Sequence, residues 1–174
     1  MTPLLAIAAR SGTGKTTLLK ALIPLLTAAD IRPGLIKHTH HHMDIDSPGK
    51  DSYELRKAGA VQTLLASNQR WALMTETPEQ ENLDLYYLAS QMDCSLIDII
   101  LVEGFKHEAV PKILLYRSAT RHQPPHPELD EYVIAVASDV DLALPVPQFD
   151  LNNPEEICRF IIEWLKSSDG NNPG

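Results

Sequence analysis

Leu4-Leu5-Ala6-Ile7-Ala8-Ala9-Arg10-Ser11-Gly12-Thr13-Gly14-Lys15-Thr16-Thr17 decides how the chain folds. Its first six residues are an unbroken apolar run of strand length, as expected of a strand buried on both faces. Arg10 to Gly14 interrupts the run. A helical pattern follows, with Leu18, Leu19, Leu22, Leu25 and Leu26 on one face. Gly12 and Gly14 allow the backbone to curl so that successive N–H groups converge on phosphate oxygens. Ser11, Gly12, Thr13, Gly14, Lys15, Thr16 and Thr17 are therefore the candidate nucleotide-binding residues. Lys15 is placed to reach the outer phosphates, the Thr16 hydroxyl to ligate magnesium, and the helix N-terminus to add its positive end. Ala9 stands where the phosphate-loop pattern has its first glycine.

A phosphate loop needs a second acid beside it. Ile99-Ile100-Leu101-Val102-Glu103-Gly104 is an apolar strand ending in a carboxylate, the arrangement expected next to the loop's own strand. Thr16 and Glu103 are thus the candidate metal ligands, and Lys15, Glu103 and Arg10 the candidate catalytic groups. Arg10 has two readings: a solvated side chain, or a cation that reaches a partner copy's phosphates across a dimer.

Alternating strand and helix patterns predict an α/β fold of the P-loop NTPase type. It has three layers, a mainly parallel sheet and a hairpin added at an edge. Residues 1–168 read as one nucleotide-binding domain and 169–174 as a tail. Pro24 predicts a kink or break in the first helix. Leu35-Ile36 reads as a second strand, and Asp51-Ser52-Tyr53-Glu54 as a capping box opening a short helix. Val61 to Ala66 and Trp71 to Thr75 read as the hairpin. A helix is expected from Thr77-Pro78 to about Met92. Further strands are expected at Leu96 to Val102, Lys112 to Tyr116 and Tyr132 to Ala137, then a last helix from Asn153-Pro154 with Ile157, Phe160, Ile161, Trp164 and Leu165 on its apolar face.

Composition narrows the function. Fifteen Lys+Arg against 23 Asp+Glu give a net charge of −8, which argues against a nucleic-acid partner. No apolar run approaches a membrane span or follows a basic leader, so a cytoplasmic protein is expected. Two cysteines, Cys94 and Cys158, make no disulfide framework.

Asp139 follows the late strand, where a carboxylate accepts two hydrogen bonds from guanine and rejects adenine. An ordinary turn acid is the other reading, because the Asn-Lys-x-Asp tetrad of regulatory GTPases is absent. His38, His40, His41 and His42 lie near Asp44 and Asp46; structural filler, contact with an anionic or pterin-like ligand, and a metal site all stay open. Unpaired edges for a dimer are expected at the hairpin, or at the strands Lys112 to Tyr116 and Tyr132 to Ala137.

Several motifs coincide. The loop at Ser11 to Thr17, Ile36-Lys37-His38 with Asp44-Ile45-Asp46, Pro48-Gly49-Lys50-Asp51-Ser52, Arg56-Lys57-Ala58-Gly59-Ala60 and Leu101-Val102-Glu103-Gly104-Phe105-Lys106 together resemble the molybdopterin-guanine dinucleotide biosynthesis adapter family. The resemblance runs from about Pro3 to Trp164. It implies a cytoplasmic homodimer that binds GTP with Mg2+, hydrolyses it weakly and assists a molybdenum cofactor guanylyltransferase. The implied partners are that enzyme, the molybdopterin cofactor and a second copy of this chain. It also implies that Asp46, Gly49 and Lys50 belong to a loop facing the nucleotide. Transfer chemistry would reside in the partner. Two other functions compete: a P-loop small-molecule kinase or ligase using Lys37 or Lys50 on its acceptor, and a metallochaperone GTPase holding metal on its histidine loop.

Overall fold

The computed structural model of the chain describes residues 2–39, 45–78, 82–105, 107–120 and 124–169. It forms two compact units, Met1–His38 with Leu85–Gly174, and Thr39–Asp84.

The larger unit holds β1 (Leu4–Ala8), α1 (Lys15–Ala28), β2 (Pro33–Lys37), α3 (Leu85–Ser90), β5 (Ile99–Glu103), β6 (Lys112–Tyr116), β7 (Val133–Ser138), β8 (Gln148–Asp150) and α4 (Pro154–Asp169). The smaller holds α2 (Asp51–Lys57) and the strands β3 (Gln62–Ala66) and β4 (Trp71–Thr75). Six strands lie in the order β2-β5-β1-β6-β7-β8, and every pairing is parallel. A parallel sheet requires crossovers, which put helices on its faces and make its strands apolar throughout. β1 and β5 are accordingly buried at every residue.

Alternate side chains of β1 define the layers. Leu5 and Ile7 join Leu18, Leu19, Leu22 and Leu26 of α1 and Ile157, Cys158, Ile161 and Leu165 of α4 in the main core. Leu4 and Ala6 face the other way, onto Leu85 and Ala89 of α3. Removing a fully buried leucine such as Leu22 from this core costs about 3–5 kcal/mol.

Several local expectations need correction. α1 runs unbroken through Pro24, which is exposed, so the carbonyl it deprives of a bond can turn to water. α3 starts at Leu85 rather than near Thr77; only Leu85 and Ala89 bury a face, and Leu83 ahead of them is exposed. Glu79 and Gln80, half of the expected helix start, lie outside the described residues. At α2 the cap is Lys50, and Glu54 Oε1 accepts from the Gly49 amide at 3.4 Å, so no capping box centred on Asp51 forms. β8 was not expected from the sequence. It covers the edge of β7, so β6 and β7 are interior strands and offer no free edge for a dimer. The hairpin is antiparallel and its first strand starts at Gln62 rather than Val61; among the described residues it pairs only with itself, as a separate two-stranded sheet rather than an addition to the parallel one. Among the described residues no helix is long and apolar enough to cross a membrane.

The starts of β2 and β5 are tied by one side chain. Arg32 grips Asp98 through Nε at 2.9 Å and Nη2 at 2.7 Å, while Nη1 donates to the Ser95 carbonyl at 2.8 Å. These bonds hold the Asp98 carboxyl at about 2. A folded value below the unfolded one stabilises at pH above about 4, and this contribution disappears as pH falls from there towards 2. Urea unfolding across that window should show wild-type stability falling more steeply than that of Asp98→Asn. Parallel curves would contradict the assigned role of the pair.

Candidate functional site

The loop between β1 and α1 is curled by two glycines. Gly12 and Gly14 sit at φ +79° and +106°, a region closed to ordinary L side chains. Ala9 has no positive φ, which explains why alanine replaces glycine there without strain. Gly14 is the N-cap of α1 and supplies no capping side chain. The first-turn amides of α1 lack helical acceptors by construction, so they remain donors for an anion.

Three of the loop's carbonyls are engaged within the protein. Thr13 is fully buried; its amide and hydroxyl donate to the Arg10 carbonyl at 3.4 and 2.9 Å. Lys15 Nζ donates to the Ala9 carbonyl at 3.2 Å. Arg117 Nε, from just beyond β6, donates to the Thr13 carbonyl at 3.2 Å. Thr16, Thr17 and Ser11 are exposed. Thr13 therefore shapes the loop through its side chain, whereas Thr16 and Thr17 are exposed at the helix start and Lys15, half-buried, folds onto the loop.

Glu103 stands where the sequence put it, at the end of β5 and paired in register with Ile7 of β1. It is only 9% exposed, and Lys37 Nζ approaches it to 3.5 Å from the paired position on β2. A buried carboxylate beside a phosphate loop, together with an exposed threonine hydroxyl, is an all-oxygen donor set suited to Mg2+, which takes its remaining ligands from phosphate and water. Behind Glu103, Gly104 adopts φ +99°, and a Cβ there would lie 2.9 Å from the His38 carbonyl oxygen. His38 donates its amide to the Glu103 carbonyl at 2.8 Å and stacks on Phe105 at 5.1 Å between centroids. His38 thus buttresses the acid's strand end.

Asp139 follows β7 and is oriented by Ser118. The Ser118 amide donates to Oδ1 at 2.8 Å and its hydroxyl to Oδ2 at 3.0 Å. Partial burial works to raise the Asp139 pKa, but the Ser118 bonds and the Arg117 charge outweigh it and hold the carboxyl below its usual value. Each oxygen retains a lone pair for a further donor.

The remaining candidates have these surroundings within their own units. Arg10 lines a cavity of about 440 Å3 with His107, Lys112, Leu114 and Asp130, and the lining includes none of Gly12 to Thr17. Lys112 is nearly enclosed and bonds Asp130 at 2.9 Å. In the smaller unit Asp46 is buried against Arg56 at 2.8 Å, and Arg56 also binds Glu76 at 3.0 Å. The Arg56 hydrogen bond lowers the Asp46 pKa against the opposing effect of desolvation. Asp46 thereby pins its loop to α2. Gly49 and Lys50 precede α2 in an exposed turn. Among the described residues no group of three or more His, Cys, Asp or Glu could hold a metal, and His40, His41, His42, Asp44 and Lys106 lie outside those residues.

Arg117 and Ser118 were missed by sequence reading. The signal was present: they follow an apolar strand, as Glu103–Gly104 follow theirs, and β6 adjoins β1 just as β5 does.

Comparison with known proteins places the chain clearly. Residues 4–139 match the family described as Molybdopterin guanine dinucleotide synthesis protein B. The chain is 64% identical to the molybdopterin-guanine dinucleotide biosynthesis adapter protein of Escherichia coli (strain K12), over 98% of this chain and 97% of that protein. It is 50% identical to the protein of the same name from Haemophilus influenzae, over 97% of this chain and 92% of that one. A crystal structure of molybdopterin-guanine biosynthesis protein B superposes with TM-score 0.70 at 23% identity, covering 92% of this chain and 99% of the other. A homologue from Bacillus stearothermophilus gives TM-score 0.67 at 21% identity, covering 94% and 98%. These likenesses carry the mostly parallel α/β fold.

Gly104→Ala should cost at least about 2 kcal/mol, from the left-handed backbone and the collision with His38. Denaturant unfolding measures it; an unchanged midpoint would refute the packing described.

Proposed function

The chain belongs to the molybdopterin guanine dinucleotide synthesis protein B family, and from that premise we propose that it is a GTP-binding adapter in the formation of the guanine dinucleotide form of the molybdenum cofactor. The observation that carries the reading is the β1–α1 loop: positive φ at Gly12 and Gly14, an uncapped helix start, and Lys15 resting on a carbonyl of the loop itself. Lys15 moves from that neutral acceptor to the phosphates, a charged pairing about twice as strong. Thr16 and Glu103 hold Mg2+, which neutralises the phosphate oxygens when bound. Lys37 compensates Glu103 until then.

Guanine selection falls to Asp139, whose carboxylate is ionised and oriented by Ser118 so that it accepts from two N–H groups on one edge of the base. Adenine offers no such pair. Hydrolysis is weak, because Asp46, the acid of the chain's Asp-x-x-Gly stretch at Asp46 to Gly49, is paired with Arg56. Guanylyl transfer belongs to a partner guanylyltransferase carrying the molybdopterin cofactor, and the adapter acts with it in the cytoplasm as a homodimer. The acidic balance of the chain fits a protein or small-molecule partner rather than nucleic acid.

Two measurements test this. Calorimetric titration with Mg2+ should give GTP binding at least tenfold tighter than ATP, and Asp139→Asn should remove most of that preference. Equal affinity for the two nucleotides in the wild-type protein would overturn the base assignment. In cofactor formation reconstituted with the guanylyltransferase, Lys15→Ala should abolish the stimulation given by the wild-type adapter; full stimulation would break the link between nucleotide and function.

A further inference from the structure

We propose that Arg117 is a second phosphate-binding cation of the nucleotide site, acting opposite Lys15; the inference rests on the nucleotide-binding reading above. Arg117 follows β6, on the side of β1 away from β5 and Glu103. Its Nε is held on the Thr13 carbonyl, and its Nη2 would lie 3.8 Å from a Cβ on Gly14. The guanidinium therefore meets the loop at the residue that caps α1, where the first-turn amides begin.

Its partners make the case. A guanidinium presents five N–H donors in a planar fork, and the Thr13 carbonyl is its one hydrogen-bond acceptor among the described residues. It forms no ion pair within them, whereas Arg32 and Arg56 are both locked to carboxylates. The acid within its electrostatic reach, Asp139, has both oxygens on Ser118. A half-buried arginine whose only anchor is a neutral carbonyl of a phosphate loop keeps its charge and most of its fork for an anion. A nucleoside di- or triphosphate bound at the loop supplies one. The position between Thr13–Gly14 and Asp139 makes Arg117 the residue that joins the phosphate end of the site to its base end.

The test compares wild type, Arg117→Gln, Arg117→Lys and Lys15→Ala for GTP and GDP affinity at several salt concentrations, with thermal unfolding as a control for folding. Arg117→Gln should weaken both nucleotides about tenfold to hundredfold, and its affinity should depend less on salt because one attracting charge is gone. Arg117→Lys, which keeps the charge and loses the fork, should fall between. Unchanged affinity in Arg117→Gln would overturn the proposal. So would a loss that leaves the salt dependence at the wild-type value and is as large in Arg117→Lys, since that pattern marks a staple of the loop rather than a phosphate ligand. Wild-type binding that Lys15→Ala does not weaken would instead defeat the nucleotide reading itself, and Arg117 would fall with it.

Discussion

A phosphate loop must point its amides at the ligand, so its carbonyls must be satisfied elsewhere. In this protein three of them are. Thr13 bonds the Arg10 carbonyl, Lys15 the Ala9 carbonyl and Arg117 the Thr13 carbonyl. The two glycines with positive φ make the curl possible, and Gly14 caps α1 without covering the helix amides. Two of the three groups holding carbonyls are cations. The same side chains that shape the loop therefore bring positive charge to it, in a chain whose overall charge is −8. An anion held at this loop would be bound by local groups against the global field, whose reach screening limits.

The sheet makes this loop the meeting point of three strand ends. β1 lies between β5 and β6, and parallel pairing brings all three carboxyl ends to one edge. Glu103 arrives from β5 and Arg117 from β6, so an acid suited to a cation and a cation suited to an anion flank the loop. β7 adds Asp139 one strand further out. Ligands of open α/β sheets gather at such a switch point because the crossovers diverge there and leave a crevice. Gly104 and His38 keep the β2 and β5 ends close enough for Lys37 to neutralise Glu103.

The legible parts were those where local pattern and physics coincide. β1 and β5 carry apolar runs because they are buried at every residue, α1 carries a periodic signal because one face is buried, and the loop motif sits between β1 and α1. Ala9 was tolerable for the reason given by its backbone. The placement of Glu103 and Asp139 at strand ends was legible because each follows an apolar run of strand length. What escaped depends on neighbours in space. α3 is six residues long and is held by two buried side chains, so a good helix start upstream misled. β8 has three residues and no apolar run, and without it β6 and β7 looked like edges. The closing of Arg56 over Asp46 was not legible either, because ten positions in sequence do not reveal that the two side chains meet. Arg117 is adjacent to the loop only through the β1–β6 pairing.

The direct measurement is a crystal structure with a non-hydrolysable GTP analogue and Mg2+. The account predicts the triphosphate in the curl after β1, with Lys15 Nζ moved from the Ala9 carbonyl to a phosphate oxygen. A loop without nucleotide at saturating analogue, its lysine still on that carbonyl, would contradict it.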